Sequence, residues 1–445
     1  MLPDPLPRPA PIGNDEYRAR RAALMQRLPP GSAVLLLGAS LTTRSRDSDY
    51  PFRQNSDFHY LTGFPEPDAL LLLLPGRSEG ESVLFCQDRD PALEAWTGIR
   101  LGAEGAVREH DLDQAFENAQ RDERLEALLD GRTGLYLLLD DAEAMALADD
   151  VRGRLAARAR RGAEPPRRYV DLAPLLHEQR LIKSEGELAL LRHAAAISAL
   201  AHRRAMGAAR PGLAEYHLQA ELEHEFRWHG GSGPAYASIV GGGGNACVLH
   251  YIENNAPLHD GELVLIDAGA EFDLYAGDIT RTFPVGGRFG DAQRELYEVV
   301  LAAQERAVAA VAPGTTLPAL HEGVVRDLTA GLVRLGLLDG EVEARIEDES
   351  YKRFYLHSTS HWLGLDVHDV GDYRLEGEPR PLAAGMVLTV EPGLYIPADA
   401  DIPERFRGIG IRIEDDVAVT AEGHEVLTAA VPKRVAEIEA LMAKH

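Results

Sequence analysis

Four carboxylates stand where a folded chain usually keeps apolar residues. Asp267 and Asp278 interrupt ELVLIDAGAEFDLYAGDITRTFPV (Glu262 to Val285), Glu391 stands in VLTVEPGLY and Glu414 in GIGIRIEDDVAV. Strands disfavour Asp, and a half-buried carboxylate needs a partner to offset its desolvation. Two acids placed to meet across a hairpin suggest a cation between them. Histidines gather in the same half of the chain: His250 in VLHYIEN, and His357, His361 and His368 in LHSTSHWLGLDVHDV. Four carboxylates with one or two imidazoles make a hard, oxygen-rich donor set. It is too anionic for one cation and suits two divalent metals such as Mn, Co, Fe or Zn. Such a pair would make a bridging water a nucleophile near neutral pH and clamp the transition state of a hydrolysis.

Each residue alone has a plainer reading. His250 would be a hydrogen-bonded loop residue, and Glu414 a strand-end acid beside Asp415 and Asp416. His357 and His361 have the i, i+4 spacing of a helical metal pair. No Glu follows the first of them and Ser-Thr-Ser lies between, so HExxH does not apply. Arg412 and Glu414 are two apart on an expected strand and so share a face, where Arg412 can orient or balance Glu414. Joint placement on strand-like segments carries the metal reading.

The elements that must position these residues repeat. Pro257, Leu258, Gly261 and Gly269 fall in register on Pro381, Leu382, Gly385 and Gly393, and Asp267 then falls on Glu391. A helix–Pro-Gly–helix unit precedes each copy. Ser184-x-x-Glu187 is a capping box before the run Leu188–Met206, closed by Arg210-Pro211-Gly212. Leu218, Leu222 and Phe226 then mark a helix ending at Gly230. The second unit runs Asp291–Ala312, Pro313-Gly314, Leu317–Leu335. An internal duplication is expected to bring two carboxylate-bearing strands to one centre. Gly241–Gly244 lacks the following helix and Lys of a phosphate cradle. It reads as a tight turn before extended chain.

Before residue 180 strands alternate with helices, as in an α/β domain. Expected strands are Ser32–Gly38, Leu70–Leu74, Ser82–Cys86 and Leu135–Leu139, and expected helices Glu16–Leu28, Arg121–Leu129 and Ala142–Leu155. Thr42–Pro67 has little periodicity and reads as mostly loop: a surface loop packed by its own aromatics, a subunit contact or the wall of a site. The first dozen residues, rich in Pro, read as an arm ordered on contact or a disordered tail. The domains are therefore 1–180 and 181–445.

The 445 residues are 45% apolar and carry a formal net charge of -25, which argues against nucleic acid or an anionic membrane as partner. The arginine run from Arg152 to Arg168 reads as a solvated helix and connector. Two cysteines, Cys86 and Cys247, make no disulfide framework. No apolar run approaches a membrane span, and MLPDPLPRPAPIGNDEYRARR has no secretory h-region. A cytoplasmic protein is expected.

The segments DAGAEFDLYAGDITRTFPV, HWLGLDVHDVG, LTVEPGLYI and GIGIRIEDD closely resemble those of the bacterial Xaa-Pro aminopeptidases, the aminopeptidase P family. The likeness extends to YPFRQNSDFHYLTGFPEP and HEQRLIKSEGELALLR, and leaves out only the first dozen or so residues. It implies an N-terminal α/β domain and a pseudo-twofold "pita-bread" metallopeptidase domain. It further implies two metal ions, by family preference manganese, held by Asp267, Asp278, His361, Glu391 and Glu414. Asp278 and Glu414 would bridge both ions, Asp267 would bind one, and His361 and Glu391 the other. His250, His357 and His368 would line the substrate site, bind the scissile carbonyl and move protons. Glu391 would accept the proton of the attacking water, and Arg412 would support Glu414. The implied reaction releases the first residue of peptides with Pro second. The family forms homodimers and homotetramers in which positions matching Trp96 and Arg44–Asp49 approach a neighbour's site. Prolidase shares the fold and ligands. A methionine aminopeptidase would not need the first domain, and a creatinase-like hydrolase or a non-catalytic peptide-binding module would lack ligands that are present here.

Overall fold

The computed structural model describes residues 4–444 and resolves two compact units, one of residues 12–180 and one of residues 4–11 with 181–444. In the first, six strands form a mixed sheet in the order Gln114–Glu117, Ser82–Cys86, Leu70–Leu73, Ser32–Leu37, Gly134–Leu137, Tyr169–Asp171. Ser32–Leu37 and Leu70–Leu73 are leucine-rich and buried on both faces, which suits central strands. Helices Arg121–Leu129 and Ala142–Ala157 present Leu125, Leu129, Ala148, Val151 and Leu155 to the sheet at helical spacing. The stretch 42–67 is more ordered than its composition suggests. Thr43–Ser45 and Ser48–Asp49 form an exposed hairpin, and Ser56–Thr62 is a buried helix, capped by the Asn55 side chain at Phe58 N–H and ended by left-handed Gly63. The aperiodic pattern hid that helix because nearly every side of it is buried.

That helix carries Asp57, whose carboxylate accepts from Arg180 Nη1 at 2.7 Å and lies 3.1 Å from His177 Nε2. Burial alone would raise the Asp57 carboxyl, but the His177 hydrogen bond and the Arg180 charge together hold it below the ordinary carboxylate range. A depressed folded-state pKa gives stability that is complete above the unfolded value, about 3.9, and is lost as pH falls below that value and through the lower folded-state one. Asp57→Ala should cost about 1.5–3 kcal/mol, since it removes a charged hydrogen-bond partner of the buried Arg180 guanidinium. Thermal melts at neutral pH and at pH 3 check this: the gap between parent and variant should shrink in acid. An equal gap at both pH values would contradict it.

The second unit is built twice. Helices Glu185–Ala208 and Glu215–Trp228 pack together, as do Asp291–Ala309 and Leu317–Arg334. In the first half, strands Ile239–Gly242, Leu263–Asp267 and Thr280–Pro284 pair antiparallel in that order. In the second, Val387–Val390 pairs antiparallel with Asp415–Val419, and that strand with His424–Val426. The expected register match is visible in backbone pairing. Gly212 N–H donates to Leu258 O and Gly314 N–H to Leu382 O, and isolated bridges join Ala214 to Pro257 and Thr316 to Pro381. Both capping-box hydrogen bonds between Ser184 and Glu187 are formed.

Three local expectations change. Asp278 lies in the irregular step before the Thr280–Pro284 strand, and Asp267 is the last residue of its own strand. Glu414 occupies a break between Gly410–Arg412 and Asp415–Val419, so Arg412 and Glu414 do not share one continuous strand. Gly243–Cys247 forms a 3₁₀ turn where extended chain was expected. In the arm, residues 4–11 are ordered on contact with their own unit. Leu6 N–H donates to His229 Nδ1 at 3.0 Å, and the Arg8 guanidinium stands 5.0 Å over the Phe272 ring. Residues 1–3 of that arm lie outside the described residues.

Candidate metal centre

The two halves deliver their carboxylates by the same device, a strand that stops at or just before an acid. Leu263–Asp267 ends on Asp267, and Val387–Val390 is followed at once by Glu391. The breaks before Asp278 and Glu414 are stitched together, with Glu414 N–H donating to Thr280 O at 3.1 Å and Asp278 N–H to Asp416 Oδ2 at 3.0 Å. All five sequence-expected ligands line one cavity of about 970 Å³. Donor atoms of Asp278, His361 and Glu414 lie within 4.8 Å of one another. Asp267 and Glu391 flank that cluster. Tyr236 Oη touches Asp267 Oδ1 at 2.6 Å and also reaches Asp278 Oδ1, while His361 Nε2 is 3.5 Å from both Asp278 Oδ2 and Glu391 Oε1. His361 Nδ1–H donates to Trp362 O at 2.9 Å, which leaves Nε2 turned toward the acids.

The electrostatics fit cations. Burial first, and repulsion by neighbouring acids after it, push Glu414 far above the carboxylate range and Glu391 up to about 7. Burial also raises Asp278. Burial would lower His361, but its hydrogen bond to Asp278 and the Glu391 charge push it up to about 9. Buried acids that can keep their charge only beside protons are acids that divalent cations would satisfy. Oxygen donors with one imidazole match a hard or borderline divalent ion.

Arg412, 4% exposed, is the positive counterweight. Its Nη2 donates to Asp267 Oδ2 at 2.7 Å, Nη1 to Tyr395 Oη at 2.9 Å and Nε to Thr280 Oγ1 at 3.1 Å. Thr280 in turn donates to Glu414 Oε2 at 2.6 Å. Arg412 thus reaches Glu414 through a threonine. His250 and His368 are exposed and line the cavity. His357 differs: Nδ1 lies 2.8 Å from Ser358 O and Nε2 2.8 Å from Tyr395 Oη. Burial, then the Arg412 charge, lower its pKa to about 4, so the ring is neutral, donates from Nδ1 and accepts from the tyrosine.

Several partners had no sequence signal. Tyr236 sits in GPAYAS, away from every acid motif, and reaches the site because Ala235 N–H is tied to Gly269 O. Thr280, Thr389, Tyr395 and His321 also bear on the site. Thr389 donates to Glu391 Oε1 at 3.2 Å, and His321 Nδ1 lies 2.8 Å from Thr359 Oγ1. Tyr395, four residues after Glu391 in EPGLY, and Thr280 and Thr389, each two residues from an expected ligand, were close to visible. Tyr236→Phe removes the hydroxyl that joins Asp267 to Asp278. It should lower kcat/KM by roughly 10–100-fold, the usual effect of losing an outer partner of a metal ligand. Steady-state assay at saturating metal checks this, and an unchanged value would contradict the bridging role.

Residues 189–421 match the model of metallopeptidase family M24, and residues 17–136 that of the aminopeptidase P N-terminal domain. The chain is 48% identical over 433 residues to the Xaa-Pro aminopeptidase of Escherichia coli (strain K12), covering 97% of this chain and 98% of that one. It is 35% identical to human Xaa-Pro aminopeptidase 3 over 95% of this chain and 85% of that one. Among solved structures, the Pseudomonas aeruginosa aminopeptidase PepP superposes with a TM-score of 0.96 at 52% identity, covering 98% of this chain and 99% of that one. Zn-substituted E. coli aminopeptidase P in complex with product superposes at 0.95 and 48% identity, with the same coverage. Among the described residues no helix is long and apolar enough to cross a membrane. With its acids and imidazole gathered in one cavity, the chain belongs to metallopeptidase family M24, in the aminopeptidase P line of that family.

Proposed function

We propose that this enzyme is a dinuclear Xaa-Pro aminopeptidase that uses manganese. The observation carrying the reading is the convergence of Asp278, His361 and Glu414, with Asp267 and Glu391 at either side. Asp267, Asp278, His361, Glu391 and Glu414 would hold two divalent ions, with Asp278 and Glu414 at the centre of the set. Bound there, such ions would supply Lewis acidity at the scissile carbonyl and an acidified water.

The chain's own residues do the rest. Asp267, held by Arg412 and Tyr236, faces the free amino group of the peptide and so fixes the cut after residue one. His250 and His368, open to the cavity, hydrogen-bond the scissile carbonyl and move protons at the departing imide nitrogen. Glu391 takes the proton of the attacking water. His357, with both ring nitrogens already engaged, holds Tyr395 and through it Arg412. A Pro ring brings no N–H and a fixed φ, so its pocket needs shape more than donors. Ile239, Leu249, Ile252, Leu317, Pro318 and Pro379 give the cavity apolar walls.

Assembly as a homodimer or homotetramer belongs to the same reading. The helix Pro91–Thr97 buries none of its residues and exposes Trp96 at 88%, and the hairpin 43–49 is exposed as well, surfaces suited to a second copy. The unpaired Cys86 and Cys247 support a cytoplasmic, reducing compartment.

The test is an assay with Mn²⁺ on paired substrates, an Xaa-Pro dipeptide and the matching Xaa-Pro-Yaa tripeptide. Release of Xaa from the tripeptide is expected. Cleavage confined to the dipeptide would assign the chain to prolidase chemistry instead.

A further inference from the structure

The ion pair between Lys183 and Asp369 is fully buried and lies outside the ligand cluster. Lys183 Nζ is 2.8 Å from Asp369 Oδ2, and each side chain is 1% exposed. Lys183 stands in RLIKSEGEL, just before the Ser184 cap. Its backbone N–H donates to Gly385 O at 2.8 Å, two residues before the strand that leads to Glu391. Asp369 directly follows His368. A Cβ on Gly364 would come within 2.1 Å of Asp369 Oδ2, so the carboxylate rests against that glycine's backbone.

Two short paths join this pair to the imidazole that faces the acids. Asp369 N–H donates to Trp362 O at 2.9 Å, and Trp362 O is also the carbonyl that accepts from His361 Nδ1. The second path runs through His368, whose ring meets that of His361 edge to face at 4.3 Å. A buried ion pair is weak evidence for stability, because apolar residues of similar volume often serve as well. Its placement beneath the carbonyl that orients His361 points to a positional role.

We propose that the Lys183–Asp369 pair positions the metal centre: it pins the 361–369 loop so that His361 Nε2 faces Asp278 and Glu414. Lys183 and Asp369 are positioning residues, with no contact to substrate. The proposal rests on the metal-centre reading above. Partners that fix a ligating imidazole typically change metal affinity by about 10–100-fold.

The test uses Lys183→Met, Asp369→Leu and the double variant, each stripped of metal and titrated with Mn²⁺ alone by calorimetry. Each single change removes one member of a buried ion pair and should lower the melting temperature. The double change removes both charges, and its metal-free melting curve shows whether it folds. The expected result is a double variant that melts cooperatively in the metal-free state but has Mn²⁺ affinity roughly 10-fold or more below parent. Mn²⁺ affinity within twofold of parent would overturn the proposal and leave the pair structural. Should the double variant not fold, Asp369→Asn, which keeps shape and a hydrogen-bond acceptor, decides by the same titration. Mn²⁺ binding roughly 10-fold or more weaker in a variant that still melts cooperatively supports positioning, and binding within twofold of parent overturns it. A parent protein that binds no Mn²⁺ would overturn the metal-centre reading itself, and this proposal with it.

Discussion

Asp278→Asn and Glu414→Gln are each expected to give a folded protein that no longer releases the first residue of an Xaa-Pro-Yaa peptide. Both acids lie at the centre of the set that holds two cations in the proposed arrangement. The loss should exceed the roughly 10–100-fold typical of outer partners, since a central ligand is removed outright. Folding should survive. Burial and mutual repulsion already disfavour charge on both groups in the metal-free protein, so an isosteric amide relieves an unfavourable term. The parent should be stabilised by Mn²⁺, by about 2.7 kcal/mol at a free concentration 100 times its Kd. The variants should gain much less. Paired thermal melts with and without Mn²⁺, alongside the peptide assay, separate the two effects. Parental activity in either variant would contradict the ligand assignment.

Arg412 should be the most demanding residue outside the ligand set. Its guanidinium spends all three nitrogens on different acceptors, Asp267, Tyr395 and Thr280, and the last carries the contact on to Glu414. Arg412→Met should lower kcat/KM by on the order of 100-fold, the upper end of what outer partners cost. Arg412→Lys should recover little of it, because an ammonium cannot hold three separate directions at once. Steady-state kinetics with circular dichroism as a folding control checks this pair. A lysine variant near parental activity would show that charge alone matters and would contradict the three-point geometry.

Much of this centre was legible before any coordinates. Acids inside apolar runs are anomalous, and the register match of Asp267 with Glu391 pointed to two strands serving one site. The backbone repeats that match at Pro257 and Pro381. Periodicity also located the long helices and the leucine-rich strands to within a few residues. What stayed hidden depended on the third dimension. Asp278 and Glu414 sit in breaks between strands, which an apolar pattern reads as continuous strand. Tyr236 and Thr280 are ordinary residues by type, and only the chain path brings their hydroxyls onto carboxylates. The helix Ser56–Thr62 lacked an amphipathic stripe because burial on nearly all sides erases the contrast that makes one. For His357, sequence gave the neighbourhood of the site. The coordinates show both of its ring nitrogens turned to protein partners.

In the proposed arrangement Asp267, Asp278, His361, Glu391 and Glu414 together hold two divalent ions that catalysis requires. The most direct measurement strips the protein with a chelator and adds Mn²⁺ stepwise, following bound metal per chain and release of the first residue from an Xaa-Pro-Yaa peptide in the same samples. The predicted result is an inactive stripped protein whose activity reaches its plateau as the second ion binds. Full activity in the stripped protein, or a plateau reached with one ion per chain, would contradict it.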